Sequence, residues 1–259
     1  MIAIIRHLVL LAVAALLVPS PAAAGEARAA VAANFADAMN ELVPAFAETT
    51  GHTVVPVFGS TGKHYAQIVN GAPFALFLAA DMERPRRLEE AGLAVTGSRF
   101  TYAVGRLALW SRDEGLVDGA GHVLATGGIH RLAIANPELA PYGRAAMEAI
   151  EALGLRERLE PRLVRGETIA QAFQYVRTGN ARLGFVALSQ LRRPGDPPGG
   201  SAWVVPRRLH RPIEQQAVLL RDDAAARAFL DFLRGAEARA IIERYGYTAG
   251  SESTGTDEP

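Results

Sequence analysis

The chain contains no cysteine. That excludes disulfides, thiolate metal sites and cysteine nucleophiles. It also lacks an excess of either charge, because 27 Lys and Arg balance 27 Asp and Glu. A strongly basic field suited to nucleic acid is therefore missing. Metal-binding histidine spacing is missing too. His7, His52, His64, His122, His130 and His210 form neither H-x-x-x-H nor H-E-x-x-H, so a zinc enzyme has no support. Long hydrophobic runs are absent beyond the N-terminal region, and a membrane span needs about 20 apolar residues.

What is present begins with an export signal. Arg6 and His7 precede an apolar run from Leu8 to Val18, which Pro19, Ser20 and Pro21 break. Ala22-Ala23-Ala24 then places small residues before Gly25. This order reads as a signal peptide over residues 1–24, cleaved after Ala24. The run is shorter than a membrane anchor requires, and no cysteine can carry a lipid, so a free periplasmic chain is expected. Cleavage removes Arg6 and leaves 26 basic residues against 27 acidic ones. With 49% hydrophobic residues, the core can supply stability without cross-links.

Short apolar strands then alternate with amphipathic helices. Ala27–Ala33 reads as a buried strand. The helix after it spaces Phe35, Met39, Leu42, Val43 and Phe46 along one face. Thr53–Phe58 and Ala75–Ala79 read as further strands, each followed by a helix. The alternation predicts α/β architecture with a mainly parallel sheet flanked by helices. Residues 100–111 hold no helical pattern and read as a crossover into a second lobe. That lobe has strands at Leu132–Ala135, Leu163-Val164 and Leu183–Leu188, with helices after Tyr142 and over Glu167–Arg177. Trp203–Pro206 and Gln215–Leu220 read as strands returning to the first lobe, before one final helix over about Ala224–Tyr245. The expected division is lobe 1 at 25–103 and 208–249, lobe 2 at 104–207, and a polar, disordered tail at 250–259.

In open parallel sheets, ligands bind beyond the C-terminal ends of strands, where helices begin. Four junctions fit: Asn34, Ser60, Tyr142-Gly143 and Thr168-Ile169, two in each lobe. The first N–H groups of each helix lack intrahelical partners and favour an anion. Asn34 and Ser60 add short side-chain donors, although both types also serve as ordinary N-caps.

These junctions lie in segments that resemble one family. Ala32-Ala33-Asn34-Phe35, Phe58-Gly59-Ser60-Thr61-Gly62-Lys63, Gln67-Ile68-Val69-Asn70-Gly71-Ala72-Pro73 and Ala79-Ala80-Asp81 resemble the periplasmic molybdate-binding proteins of ABC transporters. So do Asn136-Pro137, Pro141-Tyr142-Gly143 and Gly166-Glu167-Thr168-Ile169-Ala170-Gln171-Ala172. The likeness runs from about residue 27 to 247. It implies a two-lobed, type II periplasmic binding protein with the ligand cleft between lobes. It further implies one molybdate or tungstate anion, held by Asn34, Ser60, Tyr142 and the N–H of Ile169, with the Ala33 backbone alongside. No direct metal ligand and no cofactor are implied. The partners would be an inner-membrane permease and its ATPase, and the chain a monomer. Many relatives carry a tyrosine where this chain has Ala187; the contact it would make is expected to pass to Tyr142.

Other readings are weaker. A binding protein for sulfate or phosphate would use the same helix starts, and protonated phosphate would need a carboxylate, so Asp37 or Asp81 would have to reach it. Ser60-Thr61-Gly62-Lys63 matches S-x-x-K, but the S-D-N and K-T-G partners of a periplasmic serine enzyme are absent. Lys63 reads as a solvated residue near the cleft mouth. Asp81 reads as a helix cap or a brace of the cleft, and Trp110 and Trp203 as core or hinge residues. Arg84, Arg86, Arg87, Arg207, Arg208 and Arg211 read as solvated surface.

Overall fold

The computed structural model describes residues 24–126 and 128–248. The expected polar tail and all of the expected signal peptide except Ala24 lie outside them. The chain starts with β1 (Glu26–Ala32), a 3-10 turn over Ala33–Phe35 and α1 (Ala36–Thr50). Then come β2 (Thr53–Gly59), α2 (Thr61–Val69), β3 (Leu76–Ala79), α3 (Glu83–Glu90) and β4 (Phe100–Gly105). The next group is β5 (Leu107–Ser111), α4 (Val123–Thr126), β6 (Leu132–Ala135), α5 (Pro141–Ala152), α6 (Arg156–Leu159) and β7 (Leu163–Gly166). It continues with α7 (Ile169–Arg177), β8 (Leu183–Ala187), α8 (Leu188–Leu191) and β9 (Ser201–Val204). β10 (Ile213–Leu219), α9 (Ala224–Arg234) and α10 (Ala236–Arg244) complete the order.

Two five-stranded sheets result, ordered β2-β1-β3-β10-β4 and β7-β6-β8-β5-β9. In each, three neighbouring strands pair in parallel, and one strand runs against both of its neighbours. The sheets are thus mixed, with a parallel majority. The antiparallel strand is β10 in the first and β5 in the second. Each therefore comes from the far side of a chain crossing. The strands of the parallel part read as near-continuous apolar runs because helices cover both faces; Ala29, Ala30 and Val31 of β1 are fully buried. α1 buries Met39, Leu42 and Phe46 on the expected face and ends at Gly51, whose φ of 74° is the left-handed cap that glycine adopts without strain.

Several expectations shift. The sheet changes at Arg106, since Val104 and Gly105 still pair with β10, so the ladder runs past the expected passage between residues 103 and 104. β9 does not return to the first lobe: it pairs with β5 at the edge of the second sheet. The final helix is two helices, because Gly235 takes an extended conformation (φ −72°, ψ 163°) that α-helix cannot continue. The core divides accordingly. Phe185, Trp110 and Phe173 belong to a cluster in the second lobe. Met39, Leu78 and Phe229 belong to another, under α1, α9 and α10.

Candidate functional site

All four expected helix starts meet at one cavity between the sheets. Ala33, Asn34, Ser60, Tyr142 and Ile169 line it, with Thr61, Thr168 and small neighbours such as Gly59 and Ala80. Its volume is about 10 Å³, room for about one small group and far below the roughly 300–1,000 Å³ of pockets for larger organic ligands. No lining residue is charged. Asp37 and Asp81 stay outside, which removes the carboxylate that a protonated phosphate would need.

Each junction offers main-chain donors for a local reason. β1 ends at Ala32, and the 3-10 turn carries Asn34 inward, where it is 3% exposed. The side-chain donor expected of Asn34 is used inside the protein: its Nδ2 donates to Gln215 Oε1 at 2.8 Å and to the Tyr247 hydroxyl at 3.0 Å. Its main-chain N–H lies at the start of the 3-10 turn, where such groups lack intrahelical partners. Ser60 is the N-cap of α2 and accepts from the Lys63 N–H at 3.4 Å. A hydroxyl has one hydrogen and two acceptor sites, so Ser60 can cap and still donate. The Gly62 N–H is taken by the Leu139 carbonyl across the cleft at 2.8 Å, whereas Thr61 opens the helix, where an N–H lacks an intrahelical partner.

In the second lobe, Pro141 opens α5 without an N–H of its own, so Tyr142 supplies the helix's first donor. Gly143 is required there, because a Cβ would overlap the Ala135 carbonyl. Thr168 caps α7 by accepting from the Gln171 N–H at 3.1 Å, which leaves the Ile169 N–H at the helix start without an intrahelical partner. The Tyr142 hydroxyl packs against Gly105, where a Cβ would overlap it, and accepts from Gln215 Nε2 at 3.5 Å.

A neutral network lies behind the cavity. Tyr247 donates to the Asn34 carbonyl at 2.7 Å, Ser189 donates to the same carbonyl at 3.0 Å, and Tyr102 lies 3.3 Å from Gln215 Oε1. Burial pushes the hydroxyls of Tyr142, Tyr102 and Tyr247 above the ordinary tyrosine range, so they remain neutral. Ala187 is buried and holds the N-cap position of α8 without a side-chain cap. It does not line the cavity. Gln215 and Tyr247 escape sequence reasoning because they lie 181 and 213 residues from Asn34. The adjacent amides Gln215-Gln216, next to Glu214 in a strand whose other residues are apolar, were the available signal.

The rim is charged instead. Asp81, just before α3, accepts from the Arg84 N–H of its first turn at 3.1 Å, pairs with the Arg84 guanidinium at 2.5 Å and reaches Arg144 of the other lobe at 3.2 Å. Arg84 also donates to the Glu138 carbonyl at 2.9 Å. It is therefore a clasp residue, not solvated surface. Lys63 pairs with Glu167 across the cleft at 3.0 Å, so it neither stands free nor activates Ser60. Asp37 pairs with Arg193 of the second lobe at 3.0 Å. Trp110 and Trp203 sit in the second lobe's core, with Trp110 stacked on Phe173 at 4.9 Å.

Two α/β lobes, joined by chain crossings and closed over a small uncharged cavity, define a two-lobed solute-binding protein. The chain belongs to the bacterial extracellular solute-binding proteins, whose family model matches residues 27–248, and among them to the molybdate-binding proteins. It is 54% identical to the molybdate-binding protein ModA of Rhodobacter capsulatus, over 88% of this chain and 90% of that protein. It is 52% identical to ModA of Azotobacter vinelandii, over 87% and 91%. The solved Azotobacter vinelandii periplasmic molybdate-binding protein superimposes with a TM-score of 0.83 at 43% identity, covering 86% of this chain and 98% of that one. The sulfate-binding protein SubI of Mycobacterium tuberculosis shares the fold, with a TM-score of 0.69 at 15% identity over 88% of each chain.

Proposed function

We propose that the chain is the periplasmic substrate-binding component of a molybdate ABC transporter. It captures one molybdate or tungstate anion and delivers it to a membrane permease driven by an ATPase. It works as a monomer, performs no covalent step and uses no cofactor. The observation that carries the reading is the convergence of four helix starts on one small cavity with no charged lining. The donors are the N–H groups of Ala33, Asn34, Thr61, Tyr142 and Ile169, and the Ser60 hydroxyl. Hydrogen bonds to a charged group contribute about 1.5–3 kcal/mol each, so several together offset the dehydration of a dianion. Sulfate has the same charge and four oxygens, so fixed donors select by size. Tungstate is close to molybdate in size and is expected to bind comparably.

The test is the melting temperature of the purified chain with molybdate, tungstate, sulfate and phosphate in turn. A ligand at a thousand times its Kd stabilises by about 4 kcal/mol. Stabilisation by molybdate and tungstate that Ser60→Ala reduces is expected, whereas any stabilisation by sulfate or phosphate should not respond to Ser60→Ala. Stabilisation by sulfate alone would overturn the assignment of the ligand, and no shift with any of the four would overturn the site.

A further inference from the structure

A second charged cluster lies on the hinge. Arg106 is the single residue between β4 and β5, and its carbonyl accepts from the Leu188 N–H at 2.9 Å. That contact sets it beside α8, whose end is Arg192. The other crossing runs alongside, since the Val205 N–H donates to the Leu107 carbonyl at 2.9 Å, and Arg207 follows two residues later. Three arginines from three segments thus gather where the chain passes between lobes. Among the described residues, none of their guanidinium groups has an ion pair or hydrogen bond. Arg106 Nε is shut off from water with no acceptor. A buried donor left so costs free energy that a bound acceptor would recover. The Arg106 pKa is lowered by burial, and the like charges of Arg207 and Arg192 lower it further. None of the three lines the cleft cavity.

We propose that Arg106, Arg192 and Arg207 form a second anion site, which takes a small doubly charged oxyanion of the inorganic phosphate or sulfate kind. Guanidinium groups match such oxygens in pairs, and three of them around one dianion replace mutual repulsion with attraction. A ligand bridging Arg106 on one crossing and Arg207 on the other ties the two crossings together and braces the hinge.

Equilibrium dialysis with radiolabelled inorganic phosphate tests this, and competition by unlabelled sulfate tells the two anions apart. The native chain and a Ser60→Trp variant with a filled cleft are both expected to retain a single equivalent. Arg207→Ala and Arg192→Ala change exposed side chains and leave folding intact. Each is expected to weaken retention roughly tenfold or more. Arg106→Met is expected to abolish it. The proposal is overturned if no phosphate is retained. It is equally overturned if retention survives Arg207→Ala and Arg192→Ala, or disappears in Ser60→Trp, because phosphate would then sit in the cleft.

Discussion

The two lobes touch through two kinds of polar contact. Behind the cavity the contacts are neutral and buried: Ser189 to the Asn34 carbonyl, Tyr247 to both, and Gln215 between Asn34 and Tyr142. Around the rim they are ionic and partly exposed: Asp81 with Arg144, Lys63 with Glu167, Asp37 with Arg193. A charge inside the cavity would bias it toward any anion and would titrate with pH. Neutral donors discriminate by reach alone. Exposed ion pairs are worth about 0–1 kcal/mol each, enough to favour closure while letting the lobes part.

The comparison can be broken from the neutral side first. Gly105→Ala is expected to have the largest effect, because the added methyl overlaps the Tyr142 hydroxyl. Overpacking of this kind costs about 1–3 kcal/mol, read as a fall in melting temperature of roughly 2–4 °C per kcal/mol. Molybdate affinity should fall with it as Tyr142 shifts; a native melt with native affinity would show that the hydroxyl is not held there. Ser60→Ala comes next. It removes one donor and one cap, and calorimetry should show binding weakened by about 1.5–3 kcal/mol.

The rim should respond less. Arg144→Ala removes two inter-lobe pairs, to Asp81 and Glu83, but leaves Asp81 held by Arg84 and Glu83 by Arg87, so the expected loss of affinity is within about 1 kcal/mol and shrinks with added salt. A loss as large as that of Ser60→Ala would erase the distinction between rim and cavity. Between about pH 6 and 9 the affinity should stay flat, because the one titratable lining group, Tyr142, has its pKa raised and is neutral throughout. Stability should not stay flat. Burial holds His64 and His210 below the ordinary value of 6.5. As pH falls below that value the unfolded chain binds protons that the folded chain refuses, so the melting temperature should drop.

Much of the cavity could be read from the sequence because strand-to-helix junctions are local events. Ala33-Asn34, Ser60, Pro141-Tyr142 and Thr168-Ile169 each announce a helix start through a cap residue or an N-terminal proline, and the sheet's geometry brings such starts together. The use of the Asn34 side chain was not legible, because Gln215 and Tyr247 reach it from the far end of the chain. Nor was the break at Gly235, where Phe229, Leu233 and Ala236 keep a helical spacing of four and three across a residue that is extended. The edge position of β9 depends on pairing with β5, about ninety residues earlier. Its apolar pattern alone carries no partner.

The exchanged strands also set an order of assembly. In the second sheet every strand falls between Leu107 and Val204, so that lobe has all its strands within one continuous stretch. In the first sheet β4 pairs with β10 and bridges to Thr248, both late in the chain, and β3 meets β10 on its open side. β4 therefore has no strand to join until Ile213–Leu219 arrives. A chain emerging N-terminus first finishes its second lobe before its first, and the hinge forms last, when β10 closes the gap and draws the two halves together.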